Sequence, residues 1–249
     1  MIRRRALLSV GVSVIVATSA RAQTRLPVLD MHMHAREAAH YGATLLPLCA
    51  PVTRMPRWDP RVPFGSDTTT PALCAAPLVS PATDSAVLHG TLASMKRHNV
   101  IGVLGGAPEL VAAWQRAAPG RFIAGLDLRF DPLTGAARAA TAAGSPQRLL
   151  PVDTVRALYR AGAFAVLAEV MNQYAGIAPD DPRLEPYWAL AESFDIPVGI
   201  HVGGGGPGEP YTGSPAFRAR LQSALTLEEV LVRHPRLRLY VMHAGVPMP

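Results

Sequence analysis

From Leu26 onward the chain alternates short, nearly continuous apolar runs with stretches whose apolar residues recur at helical spacing. The apolar runs predict strands over Val28–His34, Val100–Gly105, Phe122–Phe130, Phe164–Val170, Pro197–Val202 and Leu237–His243. Helices are predicted between them, over Thr83–His98, Pro108–Ala117, Val152–Ala161, Arg183–Phe194 and Ala216–Arg233. Strands parted by helices imply βα units and a parallel sheet. Strands without polar alternation imply a sheet covered on both faces. Asp84 and Asp153 suit N-caps or first-turn acids, Pro108 and Pro182 suit a helix's first turn, and His234-Pro235 ends the last helix. Between the first strand and first helix, a proline-rich stretch at about 35–82 is too long for a structureless connection and reads as an insertion over the open end of the sheet.

Composition supports a folded domain: 49% of the 249 residues are hydrophobic and 17% charged. The formal charge of +6 is concentrated at the start, where residues 1–22 carry Arg3, Arg4, Arg5 and Arg21 and no acid. The remaining 20 basic and 18 acidic residues form no basic cluster, which argues against a nucleic-acid surface. The first 22 residues read as a signal peptide: an arginine n-region, an apolar run from Ala6 to Ala20, and small residues at Ala20 and Ala22. An apolar run of 15 residues is short of the roughly 20 needed to span a bilayer. The expectation is therefore export to the periplasm or exterior, by the general or the twin-arginine route, with a domain over 23–249 and no integral membrane segment after cleavage. Export would make Cys49 and Cys74 a candidate disulfide, two buried thiols being the alternative.

The chemistry concentrates at strand ends. His32 and His34 occupy i and i+2 of the first strand, so their imidazoles share a face. Such a pair can hold one metal ion, or each ring can be satisfied by backbone partners. Asp30 has the same parity and would sit one step deeper, orienting a ligand from behind. His201 and His243 close two further strands, each just before glycine or a small residue. In a parallel sheet those ends meet on one rim, where ligands bind. Asp127, Arg129 and Asp131 alternate at the third strand, either as an ion-pair ladder or with Arg129 clamping a substrate carboxylate. A dinucleotide fold is not supported, because the glycines after His201 lead into Pro210-Tyr211 rather than a helix; no G-x-S-x-G is present either.

With VLDMHMHA at the first strand, IPVGIHVGGG at the fifth, LYVMHAG at the sixth, and PDDP followed by LEPYWALAE ahead of the fifth, the sequence resembles the amidohydrolase superfamily, specifically its amidohydrolase-2 branch, from Leu26 to the end. The resemblance implies a distorted (β/α)8 TIM-type barrel with one or two divalent metal ions, usually zinc. By resemblance His32, His34, His201 and His243 are metal ligands, and His243 is also the catalytic candidate. The family's strand-four position, often a carboxylated lysine, holds Ala168-Glu169-Val170 here; the single lysine, Lys96, lies on the first helix. Glu169 is thus the candidate carboxylate ligand or bridge, pairing with an arginine being its alternative. The family also uses a strand-eight aspartate. This chain ends at Pro249, after about six βα units, so either a fragment or an open, disabled barrel is expected. The resemblance implies hydrolysis of an amide, ester or lactone in a small-molecule substrate. Its alternatives are a non-oxidative decarboxylase, which an Arg129 facing the pocket would favour, and a truncated barrel that binds metal or ligand without turnover.

Overall fold

The computed structural model describes residues 26–41, 47–48, 78–79, 81–130, 149–203 and 215–243. The leader, the Cys49–Cys74 pair, most of the 35–82 insertion, Asp131 and the glycine run after Gly203 lie outside the described residues.

Six strands form one parallel sheet: β1 (Val28–His34), β2 (Val100–Gly105), β3 (Phe122–Leu128), β4 (Val166–Val170), β5 (Val198–His201) and β6 (Leu239–Met242). Their order in space is their order in the chain. The helices are α1 (Asp84–His98), α2 (Pro108–Ala117), α3 (Val152–Arg160), α4 (Glu185–Ser193) and α5 (Glu228–Arg233). A two-residue antiparallel pair joins Pro47–Leu48 to Leu78–Val79. Among the described residues, no helix is long and apolar enough to cross a membrane.

The sheet is rolled. In a flat sheet, strands spaced about 4.8 Å apart would set β1 and β6 about 24 Å apart. Instead the rings of His32 on β1 and His243, immediately after β6, have centroids 4.8 Å apart. The larger apolar cluster fills the space between the strands and the helices, around Leu104, Leu167, Trp188 and Ile200. A smaller one, Val103, Val166 and Ala168 with Met31, Ile123 and Tyr240, lines the inside of the curl. This is the architecture of a partial (β/α) barrel.

Local chemistry accounts for where elements depart from the expected bounds. Thr83 caps α1 by accepting the Ala86 N–H at 3.2 Å, leaving Asp84 in the first turn to accept the Ala38 N–H at 2.7 Å. Helix α4 begins at Glu185 rather than Arg183, because Asp181 accepts the Arg183 N–H and holds that residue in the preceding turn. Pro186, not Pro182, takes the first-turn position. The expected helix over Ala216–Arg233 is instead two 3-10 turns, Ala219–Leu221 and Ala224–Leu227, running into α5. Ser223 accepts the Leu225 N–H and Thr226 donates back to the Ser223 carbonyl, so these side chains compete with the helical ladder. Not every strand is covered on both faces: β1 lies at the sheet edge and its first three residues are exposed.

Candidate metal centre at the C-terminal rim

Two register shifts build the site. Asp30 pairs with Gly102 but Met33 with Leu104, so β1 carries an extra residue between them. Leu126 pairs with Leu167 but Asp127 with Glu169, so β4 carries its extra residue at Ala168. Such bulges re-aim side chains. Met31 stays in the inner cluster while His32 and His34 converge beside it, and Met33 packs outward against the helix-side core. Ala168 stays inside, and Glu169 also reaches the interior. The β1 bulge corrects one expectation. Asp30 does not lie behind an imidazole; it is exposed, and its carboxylate accepts the His32 backbone N–H at 3.0 Å.

The four strand-end histidines singled out above gather around the buried Glu169 carboxylate. Its Oε2 lies 3.2 Å from His34 Nε2 and 3.6 Å from His32 Nε2, and its Oε1 lies 2.8 Å from His201 Nδ1 and 3.9 Å from His243 Nε2. Among the described residues its ion-pair partners are thus imidazoles rather than an arginine. The Nε2 atoms of His32 and His34 are 3.0 Å apart. Ring contacts of 4.9, 4.8 and 4.4 Å link His34, His32, His243 and His201 in a chain.

Asp127 is the residue the sequence pattern undervalued. It does not build a ladder with Arg129: it is buried, with Oδ2 3.5 Å from His34 Nδ1. Gly105 makes this possible, since a Cβ there would collide with the Asp127 carboxylate. Arg129 lies on the wall of the same cavity, of about 260 Å³, with Arg36, Met171 and Tyr174 beside the cluster. The Tyr174 ring packs at a tilt against His201, with centroids 4.6 Å apart. Gln173, wholly buried, accepts the Gly203 N–H at 3.1 Å and donates to the Gly203 carbonyl at 2.6 Å. This clamp seats Gly203 against His243, where a Cβ would come within 2.9 Å of the His243 Cβ. His243 has φ of 59°, a left-handed backbone that stores strain in a non-glycine residue. Gln173 sits in a short 3-10 turn with no motif of its own, so nothing in the sequence announced it. For Asp127, the available signal was its position at the C-terminal end of a barrel strand.

Electrostatics reinforce the cluster. Burial opposes ionisation of Glu169, yet bonds from His201, His243, His32 and His34 hold its carboxyl well below the usual range. Burial also opposes charge on His34, but Asp127 and Glu169 outweigh it and push the imidazole from 6.5 up to about 9. Burial pushes the Tyr240 phenol up, with the charges of Asp127 and Glu169 adding to the shift.

The donor set suits a divalent ion. His32, Glu169 and His243 each offer a ligand atom, all within 4.8 Å of one another. Two neutral imidazole nitrogens at 3.0 Å can satisfy each other only if one donates, whereas a cation takes both lone pairs. His201 Nε2 is buried without a hydrogen-bond partner, a lone pair that a bound ion would take up.

A rolled parallel sheet that gathers nitrogen and carboxylate donors at the C-terminal ends of its strands has its candidate site where (β/α) barrels carry theirs. The amidohydrolase family model matches residues 29–249, and the chain belongs to that family. No curated protein matches it in sequence. Among solved structures it is similar to an amidohydrolase from Mycobacterium avium subsp. paratuberculosis K-10, at 15% identity over 88% of this chain and 73% of that one, with a TM-score of 0.45. The corresponding values for 4-oxalomesaconate hydratase from Rhodopseudomonas palustris are 13%, 88%, 63% and 0.45. An uncharacterized TIM-barrel protein from Bordetella bronchiseptica is 21% identical over 62% of this chain and 58% of that one, with a TM-score of 0.34.

Proposed function

We propose that the protein is a metal-dependent hydrolase that cleaves an amide, ester or lactone bond in a small molecule. The observation that carries the reading is the convergence of four imidazoles on one buried carboxylate, with two of their nitrogens 3.0 Å apart. His32, His34 and His201 would hold the ion, zinc being the best match to these donors, and Glu169 would complete the set or bridge two ions. When bound, such an ion lowers the pKa of water towards about 7 and polarises a carbonyl. Asp127 holds the far nitrogen of His34, which directs its Nε2 into the cluster. His243, the most loosely held of the four relative to Glu169, is placed to ligate or to stabilise negative charge developing on the substrate oxygen. Tyr174 and Met171 line the same cavity beside the cluster.

Titrating zinc into chelator-treated protein tests the reading. The expected result is one or two ions per chain, with binding abolished in the His32→Ala/His34→Ala double variant. A wild-type chain that takes up no divalent ion overturns it.

Arg129 and Arg36 on the cavity wall favour a second reading, a decarboxylase acting on a carboxylate substrate that a guanidinium would grip. Release of carbon dioxide from carboxylate substrates, rather than hydrolysis products, would select it. The arginine-led leader further supports export to the periplasm or exterior. A mature protein beginning at Gln23 is the expected product in a secreting host, and retention of the leader would count against export.

A further inference from the structure

The β4 bulge interrupts the ladder on both sides of Ala168. Against β3, Leu167 and Glu169 pair with consecutive residues, so Ala168 is extra. Against β5, Leu167 pairs with Val198 and Val170 with Ile200, so Ala168 and Glu169 together face only Gly199. A bulged carbonyl inside a sheet needs a partner from elsewhere. It has one: the Tyr240 hydroxyl on β6 donates to the Ala168 carbonyl at 3.0 Å, reaching past β5. Tyr240 pairs in register with Gly199, and the missing side chain there opens the path. A Cβ on Gly199 would sit 2.6 Å from the Tyr240 Cζ and hydroxyl and would press on the Ala168 carbonyl oxygen. On the other side, Gly125 makes the matching room for the Ala168 methyl. Two glycines and one phenol thus fit a single irregular residue, and the next residue is Glu169.

We propose that the Tyr240 hydroxyl is a positioning group: by fixing the Ala168 carbonyl it holds the bulge that aims Glu169 at the four imidazoles, and so tunes ion binding there. This rests on the metal-site reading above. Ring packing alone would not need the hydroxyl, so Tyr240→Phe separates the two roles by keeping the ring and removing the bond.

Two readouts are taken on Tyr240→Phe and wild type: zinc affinity by competition with a chromogenic chelator, and histidine ring 15N shifts of the metal-free chains at one pH. The expected result is about 10- to 100-fold weaker zinc binding, the range for loss of a group supporting a ligand. The His201 ring resonances, which report the bond to Glu169, are expected to move. Unchanged affinity together with superimposable shifts overturns the proposal. Wild-type protein that binds no zinc overturns the metal-site reading instead; the metal-free shifts alone then decide whether Tyr240 positions Glu169. Should Tyr240→Phe fail to fold, Gly199→Ala, which crowds the phenol away from the carbonyl, is read in the same two ways.

Discussion

Glu169 brings one negative charge into a space shared by four imidazoles and a second carboxylate, Asp127. In the metal-free chain its stabilising effect is present above the ordinary carboxylate range and is lost as pH falls through its depressed value. The contribution of His34 is complete below 6.5 and is lost as pH rises through about 9. Both groups are charged between these limits, so Glu169→Gln should destabilise the metal-free chain most at pH 5–8, by about 1.5–3 kcal/mol. Urea unfolding across pH checks this; a deficit that grew steadily towards acid would contradict it. Protons and metal also compete for the same nitrogens. Ion uptake should therefore release protons and tighten from pH 6 to pH 8, which calorimetry in buffers of different ionisation enthalpy measures.

Bulges and glycines shape the elements around these residues. Gly105 lends its empty side to Asp127, so Gly105→Ala must displace that carboxylate from His34 or move β2. The expected cost is about 1–3 kcal/mol, as for other overpacked sites, read from the denaturation midpoint. On the helix side, His234 bridges Glu185 at 2.8 Å and Glu192 at 3.2 Å, tying the end of α5 to α4. Glu192 is held below the usual carboxylate range by the Arg236 N–H and by His234. Glu192→Gln should therefore lower the melting temperature at neutral pH, with the difference vanishing as acid protonates the wild-type carboxylate. At this scale most of the architecture was legible in the sequence. Apolar runs of six to nine residues between helical periods located every strand of the large sheet to within two residues, because burial on both faces leaves a strong pattern. Parity reasoning put His32 and His34 on one face, as the fold has them, but misplaced Asp30. The alternation rule assumes an unbroken ladder, and the β1 bulge between Asp30 and Met33 leaves no compositional trace. The same holds for Ala168. The stretch before α5 misled for a different reason: helical spacing of its apolar residues concealed the local bonds of Ser223 and Thr226.

For the molecule as a whole, the site joins the two edges of the sheet. The imidazoles of His32 and His243, on β1 and just after β6, meet across the interior, so an ion shared by them would fasten the two strands that, among the described residues, have a strand neighbour on one side only. At 100 times its dissociation constant such a ligand adds about 2.7 kcal/mol, which for a chain of this size raises the melting temperature by about 5–10 °C. Scanning calorimetry with and without zinc checks the shift, and hydrogen exchange should slow in β1 and β6 together. Because space repeats chain order, the donors also become available in sequence during synthesis. A ribosome delivers His32, His34 and Glu169 first and His243 more than 200 residues after His32. Under the proposed metal reading, a nascent chain would hold a partial, open donor set until His243 emerged and the curl closed.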